Sequence, residues 1–175
     1  LAYVLSALEG EVLLTLFLMA VLTWLVHSSL AVVLLTASLA SAGIVPPGTG
    51  LVMILGANIG GTIPPIIATL STGPQSQHAA LGNAGFKLIA SLLVLPLLPW
   101  ISGQLQSFGG NAQVLVNFHM AFNLLVATLF LPWVQTAAAL LARAFPDTGS
   151  GSVETVTKYL DKELITSPAL PLTGA

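Results

Sequence analysis

An almost uncharged stretch fills most of this chain. Between Val12 and Ala142 the only formally charged residue is Lys87, and over all 175 residues only 6% are charged while 55% are hydrophobic. Soluble domains are typically about a quarter charged, so this stretch belongs in a lipid bilayer. Because a helix satisfies its own backbone hydrogen bonds inside lipid, we expect an all-α, multi-pass membrane protein, a helical bundle.

Two short polar motifs interrupt the apolar sequence. The first, HSS at 27–29, divides the run from 12 to 43, and the second, GANIGGT at 56–62, divides the run from 51 to 70. Non-helical backbone persists in lipid only beside protein or a water-filled cavity. The two motifs therefore predict re-entrant or broken helices whose polar groups converge on one cavity near the bilayer midplane, an arrangement typical of secondary transporters.

The lengths of the apolar runs predict how the chain crosses the membrane. The run at 12–26 would be about 22 Å long as a helix, shorter than the roughly 30 Å hydrocarbon layer. It is therefore either a re-entrant arm or half of a broken span that resumes after residue 27. We further expect a helix at 30–44, a span at 51–70 that is unwound at 56–62 and a full span at 79–101. A long span at 114–142 is expected to be kinked or divided around Pro132, and polar loops are expected at 71–77 and 102–112.

The serines of the first motif are candidate anion ligands. Ser28 and Ser29 offer hydroxyl groups, and a helix that starts there presents free backbone N–H groups to an anion. The alternative is that both serines bond the preceding turn or hold helices together. We favour binding, because His27 adjoins the serines and a second polar motif follows within the same membrane-embedded region.

Asn58 and Thr62 of the second motif are candidate ligands for a cation. Their side chains carry carbonyl and hydroxyl oxygens, which are the ligands that hard cations prefer. The alternative is close helix packing through Gly56, Gly60 and Gly61. The two interpretations are compatible.

His119 and Asn123 lie four positions apart, so on a helix they share a face. We expect that face to point into the bundle and to bond neighbouring helices rather than to contact a substrate. No histidine pair has a metal-ligand spacing, and adjacent His27 and Ser28 cannot act as a hydrolase pair because neighbouring helical residues point apart. We expect no enzyme, no cofactor other than a coupling ion and, at a net charge of −2, no nucleic-acid partner.

The ordered series of motifs resembles the type II sodium/phosphate cotransporter family, which has bacterial members. HSSLA at 27–31 and GANIGGT at 56–62 are similar to its QSSS-type and GANIGTT-type motifs. FHMAFNLL at 118–125 is similar to the span that follows the second repeat, and the sequence at 158–170 resembles the linker to a cytoplasmic PhoU-like helical domain. The resemblance covers nearly the whole chain.

The resemblance implies one half of an inverted-repeat transporter that carries inorganic phosphate together with sodium across the cytoplasmic membrane. It implies that His27, Ser28, Ser29 and Asn58 bind the substrate, and that Asn58 and Thr62 bind sodium. The alternatives are a degenerate membrane-embedded signalling or scaffold module and a carrier of another small anion.

Three positions depart from the family pattern. His27 stands where the family usually has Gln, Leu30 replaces the third serine, and Gly61 replaces the first threonine of the pair. Each change removes or alters a polar ligand. The substitutions therefore bear directly on which anion is bound and on how many sodium ions accompany it.

The composition changes after residue 145. We expect residues 1–145 to form the transmembrane repeat and residues 146–175 to form an exposed cytoplasmic tail. Arg143, Lys158 and Lys162 follow the last span, whereas the two polar loops carry no Lys or Arg, so the positive-inside rule places the C-terminus in the cytoplasm. Because only one repeat is recognisable, we expect a fragment whose site is completed, within the lipid bilayer, by the other repeat or a second copy.

Overall fold

The computed structural model describes residues 10–105, 107 and 109–146, which form helices joined by short turns, with no strand among them. The expected all-α membrane fold is confirmed. The 3-10 turns Leu95–Leu97 and Leu131–Trp133 continue two of the helices. In chain order the helices are α1 (Val12–Val26), α2 (Ser29–Ser41), α3 (Pro47–Gly60), α4 (Ile63–Thr69), α5 (Pro74–Val94), α6 (Leu98–Leu105), α7 (Asn111–Phe130) and α8 (Val134–Ala144).

Helix α3 is the centre of the bundle. Every residue from Gly50 to Asn58 is buried, and α3 contacts α1, α2, α5, α6 and α7. Two glycines one turn apart bring α1 close to it: a Cβ at Gly56 would meet the backbone carbonyl of Leu16, and a Cβ at Gly60 would meet that of Ala20. Small residues at this spacing let membrane helices approach closely, so the packing role expected for these glycines is confirmed.

The order of these contacts gives the helix directions. Because Leu16 precedes Ala20 as Gly56 precedes Gly60, α1 runs parallel to α3. Helix α2 runs the opposite way, since it starts beside the end of α3, where Ser29 lies against Gly61. Helices α1 and α2 therefore form a hairpin, and of the two alternatives for residues 12–26 the re-entrant arm is the one observed.

Among the described residues, three segments are long and apolar enough to cross a membrane, namely Pro47–Thr69, Pro74–Leu105 and Asn111–Ala144. Helix α1 has 15 residues and α2 has 13, about 22 and 20 Å, so each arm of the hairpin is too short to span the hydrocarbon layer. The chain is thus a multi-pass membrane protein whose described part has three candidate spans and one hairpin of two shorter apolar helices.

The hairpin tip lies partway along the first spanning segment. Helix α3 is 14 residues long and α4 is 7, about 21 and 10 Å respectively. Since the tip meets Gly61 between them, it lies roughly two-thirds of the way along that span. Polar groups at the tip are therefore at membrane depth.

Several boundaries differ from the sequence expectation. The backbone at 56–60 is helical, and the break is confined to Gly61 and Thr62; the glycines before it serve packing rather than unwinding. Helix α5 begins at Pro74, so most of the expected loop at 71–77 is helical. Proline is favoured in the first turn of a helix, where its missing N–H is not needed. The long segment is divided at Pro132, where the sequence predicts a kink or a division, by a 3-10 turn.

The two faces of the bundle follow from the topology. The open end of the hairpin, where α1 begins and α2 ends, lies on one face with the start of α7. There the Asn111 side chain donates a hydrogen bond to the Ala40 carbonyl. The start of α5 and the end of α8 lie on the other, which we call the tail face, where the His78 ring contacts the Phe145 carbonyl at 3.1 Å. The loop after α4 lies on the same tail face as Arg143. Of the two loops without Lys or Arg, only the loop before α7 therefore lies on the face opposite Arg143. The expected tail at 146–175 lies, after residue 146, outside the described residues.

Candidate functional site

The hairpin tip is built by two residues with non-helical backbone. His27 ends α1 in the left-handed conformation, with φ 58°, and its N–H donates to the Trp24 carbonyl at 3.2 Å. Ser28 is extended and caps α2, its hydroxyl accepting from the N–H of Ala31 at 3.2 Å. Serine is among the strongest N-cap residues, which explains why the chain reverses here rather than continuing as one helix. The expected break at 27–29 is confirmed.

The start of α2 leaves two donors for an external acceptor. The carbonyl of Ser28 accepts from Val32, and its hydroxyl accepts from Ala31. The first N–H groups of a helix have no partner within it, so those of Ser29 and Leu30 remain available beside the Ser29 hydroxyl. A helix N-terminus of this kind favours an anion.

The break between α3 and α4 supplies acceptors instead of donors. Pro64 and Pro65 follow it after one intervening residue, and proline has no N–H to give to the carbonyl four residues earlier. The carbonyls of Gly60 and Gly61 therefore lack the donor that a continuous helix would provide. Uncommitted carbonyl oxygens are suitable ligands for a hard cation.

The tip and the break meet in one groove. A Cβ at Gly61 would lie 3.2 Å from the Cβ of Ser29 and 3.5 Å from its hydroxyl oxygen, so a side chain at position 61 needs the tip to shift by a few tenths of an ångström. The threonine of the family pattern would therefore require the tip to move. The groove has a volume of about 520 Å³ and is lined by His27, Ser28, Ser29, Leu30, Gly61, Pro64, Pro65 and Ala68.

Thr62 lies at the break but does not line this groove. Its side chain is buried, with 4% of its surface exposed, and its hydroxyl donates to the Ile59 carbonyl at 2.7 Å. The backbone N–H of Thr62 donates to the same carbonyl. The hydroxyl oxygen keeps its lone pairs for a further partner.

Asn58 belongs to a second polar cluster, deeper in the bundle. It is fully buried, and its amide nitrogen contacts the Ile54 carbonyl at 3.0 Å and His119 Nδ1 at 3.2 Å. Its amide oxygen accepts from the Asn123 side chain at 2.9 Å. His119 and Asn123 thus share an inward face of α7 and bond a neighbouring helix, as their spacing predicts.

The structure therefore divides the five candidate residues. His27, Ser28 and Ser29 line the groove with Gly61, whereas Asn58 lies in the buried cluster and Thr62 lies at the break outside the groove. The expectation that the polar groups of both motifs converge on one cavity is therefore wrong for Asn58 and Thr62. Sequence reasoning did not single out the carbonyls of Gly60 and Gly61, although Pro64 and Pro65 four residues later signal them. Within the part of the chain that the structure describes, no three His, Asp or Glu side chains come together as a metal site.

Comparisons with known proteins agree on one family. The sequence model described as Na+/Pi-cotransporter matches residues 1–131. The "Putative inorganic phosphate export protein YjbB" of Escherichia coli K12 is 29% identical over 171 residues, which are 97% of this chain and 32% of that protein. The protein of the same name from Salmonella typhimurium LT2 is 28% identical over 171 residues, with the same shares of each chain.

A relative from a different bacterium is also similar. The "Uncharacterized protein YqeW" of Bacillus subtilis 168 is 31% identical over 127 residues, which are 72% of this chain and 41% of that protein. The chain therefore spans about a third of the length of the YjbB proteins it matches. No solved structure matches it.

Proposed function

Because this chain belongs to the Na+/Pi-cotransporter family, we propose that it forms one half of a membrane carrier that moves inorganic phosphate with sodium as the coupling ion. The observation that carries the proposal is the shared groove, in which the serine tip of a re-entrant hairpin meets a broken span. Anion donors and cation acceptors are thereby placed side by side at membrane depth. Secondary transporters bind substrate and coupling ion at such helix breaks.

The tip suits a phosphate oxyanion. The N–H groups of Ser29 and Leu30 and the Ser29 hydroxyl are hydrogen-bond donors on one side of the groove. The His27 ring, which stands where the family usually has Gln, also lines the groove, but its Nδ1 donates to the Leu25 carbonyl at 3.1 Å. The donor of a neutral ring is therefore used within the tip, and the anion donors are the serine hydroxyl and the backbone N–H groups. The loss of the third serine at Leu30 removes a hydroxyl but leaves the backbone N–H.

The groove also gives a reason for sodium. None of its lining residues is Lys or Arg, so no permanent positive side chain balances the charge of phosphate in these walls. Burying an unbalanced anion is costly, and a cation that enters with it removes most of that cost. Gly61 lines the groove opposite Ser29. We propose that its carbonyl holds the sodium ion together with the carbonyl of Gly60 and the hydroxyl of Thr62, which adjoin it in the chain.

Asn58 is proposed to act at this site from behind the groove. Its amide is bonded on both ends, and it lies one turn before the break. The assignment of Asn58 as a direct ligand for phosphate or sodium stays a prediction that a substitution can test.

The groove is open on one side, and we propose that a second repeat closes it. The YjbB proteins are about three times as long as their matched region, which leaves room for such a repeat, and a second copy of this chain is the other possible source. With the C-terminus in the cytoplasm, the groove of the hairpin would open toward the cytoplasmic face of the cell membrane, since Pro65 and Ala68 extend it along α4 to the tail face.

The direction of transport is the point at which the relatives and the sequence expectation differ. The YjbB proteins are named for phosphate export, whereas a sodium gradient directed inward drives uptake. A symporter runs either way according to the gradients imposed on it. The proposal is therefore coupled movement of phosphate and sodium, with the direction set by the gradients.

The test uses the full-length protein in proteoliposomes. Radiolabelled phosphate flux is measured with an inward sodium gradient, with an outward one, and with potassium replacing sodium. The proposal predicts flux that follows the sodium gradient and that excess unlabelled sulfate does not inhibit. Flux inhibited equally by sulfate would indicate a carrier of another small anion, and no flux under any gradient would support a degenerate signalling or scaffold module.

A further inference from the structure

The polar cluster behind the groove joins two helices through a single amide. Asn58 on α3 is fully buried, and the two residues of another helix that bond its side chain, His119 and Asn123, both come from α7. Helix α3 leads directly into Gly61, which packs on Ser29. A displacement of the last turn of α3 would therefore reach the groove.

The hydrogen bonds fix which way the Asn58 amide points. Its nitrogen lies 3.0 Å from the Ile54 carbonyl, and an amide oxygen in that place would face another acceptor, so the nitrogen must be there. The same nitrogen reaches His119 Nδ1 at 3.2 Å. In this contact the Asn58 nitrogen donates and His119 Nδ1 accepts.

The other end of the amide is fixed in the same manner. The Asn123 nitrogen donates to the His119 carbonyl at 2.8 Å and to the Asn58 oxygen at 2.9 Å. Every polar atom of Asn58 therefore has a partner whose role is determined. Because Asn58 is fully buried and its side-chain nitrogen and oxygen are both bonded, these bonds hold its amide in one orientation.

We propose that His119 and Asn123 are positioning residues that clamp Asn58 and thereby hold the break of α3–α4 against the hairpin tip. This proposal rests on the proposed function for its effect on transport, but the clamp itself has a structural consequence that can be measured without phosphate. The clamp needs an acceptor at His119 Nδ1 and a donor at Asn123. Replacing either one frees the last turn of α3 and alters the groove at Gly61 and Ser29.

A labelling experiment tests the clamp directly, because the chain has no cysteine. Ala68→Cys places one thiol at the groove in the full-length protein, and its rate of reaction with a membrane-impermeant maleimide reports the shape of the groove. If the full-length protein has cysteines of its own outside this chain, they are first replaced. His119→Leu should change the rate by about tenfold, the equivalent of one lost hydrogen bond. His119→Gln, whose amide oxygen can accept, should restore it.

Two controls separate the clamp from general instability. Leu115→Ala removes core packing against Gly50 at the far end of α3 and should destabilise the protein without changing the labelling rate. Asn117→Ala removes an exposed polar side chain of α7 and should change neither. If His119→Leu labels like the parent protein, or if Leu115→Ala alters labelling as much as His119→Leu does, the clamp proposal is wrong.

Transport gives the second measurement. His119→Leu should lower the maximal rate of sodium-driven phosphate flux by about tenfold, and combining it with Asn58→Ala should be no worse than Asn58→Ala alone, since one residue acts through the other. Additive effects of the two substitutions would overturn the proposal. If the parent protein moves no phosphate, the proposed function fails, and the labelling result still decides the clamp.

Discussion

At the scale of single residues, two glycines decide how closely the hairpin packs. Gly56 and Gly60 face the backbone of α1 at Leu16 and Ala20, one turn apart on each helix. Their part in the second polar motif is thus to remove side chains from a helix contact. The polar chemistry of the motif is left to Asn58 and to the residues of the break.

Substituting one of these glycines should destabilise the protein. In Gly60→Ala the new Cβ would lie within 2.7 Å of the Ala20 carbonyl carbon, and relief requires a shift of two backbones. We expect a loss of about 1–3 kcal/mol in the free energy of unfolding, seen as a lower thermal midpoint in detergent. Gly85→Ala is the matched control, because a Cβ there meets nothing within 4 Å. Equal midpoints for the two variants would contradict the packing account.

The left-handed residue at the tip makes a second prediction. His27 has φ 58°, a conformation that glycine adopts freely and β-branched residues avoid. His27→Val should therefore lower the free energy of unfolding by about 1–2 kcal/mol, whereas His27→Gly should retain the thermal midpoint while losing the ring from the groove. A midpoint for His27→Val at or above that of His27→Gly would show that the tip is not held in this conformation.

At the scale of elements, the break of α3–α4 rests on proline. Pro64→Ala restores an N–H that can donate to the Gly60 carbonyl. We expect a stabilisation of about 1 kcal/mol together with a several-fold higher sodium concentration for half-maximal phosphate flux. Pro74→Ala, in the first turn of α5, is the control and should alter neither quantity. If the Pro64→Ala protein is stabilised but its sodium dependence is unchanged, the Gly60 carbonyl is not a ligand of the cation.

The sequence predicts the elements better than their ends. The hairpin tip at 27–29 is predictable because a histidine and two serines interrupt an otherwise apolar run. The second motif misleads, since glycine signals both unwinding and close packing, and only the three-dimensional contact of Gly56 and Gly60 with α1 decides between them. Pairing between helices is harder to predict than the elements themselves. The spacing of His119 and Asn123 predicts a shared face, but nothing in the sequence identifies Asn58 as their partner.

At the scale of the whole molecule, the account requires a fixed topology. The hairpin enters and leaves on one face, and the loop after α4 lies on the other, with the end of α8. Single cysteines at Gly43 and at Thr72 in the full-length protein, freed of any other cysteine, should therefore be labelled by an impermeant maleimide from opposite sides of the membrane. Single cysteines at Gly43 and at Gly110 should be labelled from the same side. Labelling of Gly43→Cys and Thr72→Cys from one side would mean that the first segment does not span.

The central claim is that the tip and the break bind phosphate and sodium in one shared groove. The most direct measurement is the apparent KM for phosphate and the half-saturating sodium concentration, determined for sodium-driven flux by the full-length protein, Ser29→Ala and Thr62→Val. Ser29→Ala removes a donor hydroxyl and should raise the phosphate KM by about tenfold. Thr62→Val replaces the buried hydroxyl at the break, just outside the groove lining, with a methyl group of similar size and should mainly raise the sodium requirement. Because the two ligands share one groove, raising sodium should partly restore the phosphate KM of Ser29→Ala. Unchanged values for both variants would contradict the account.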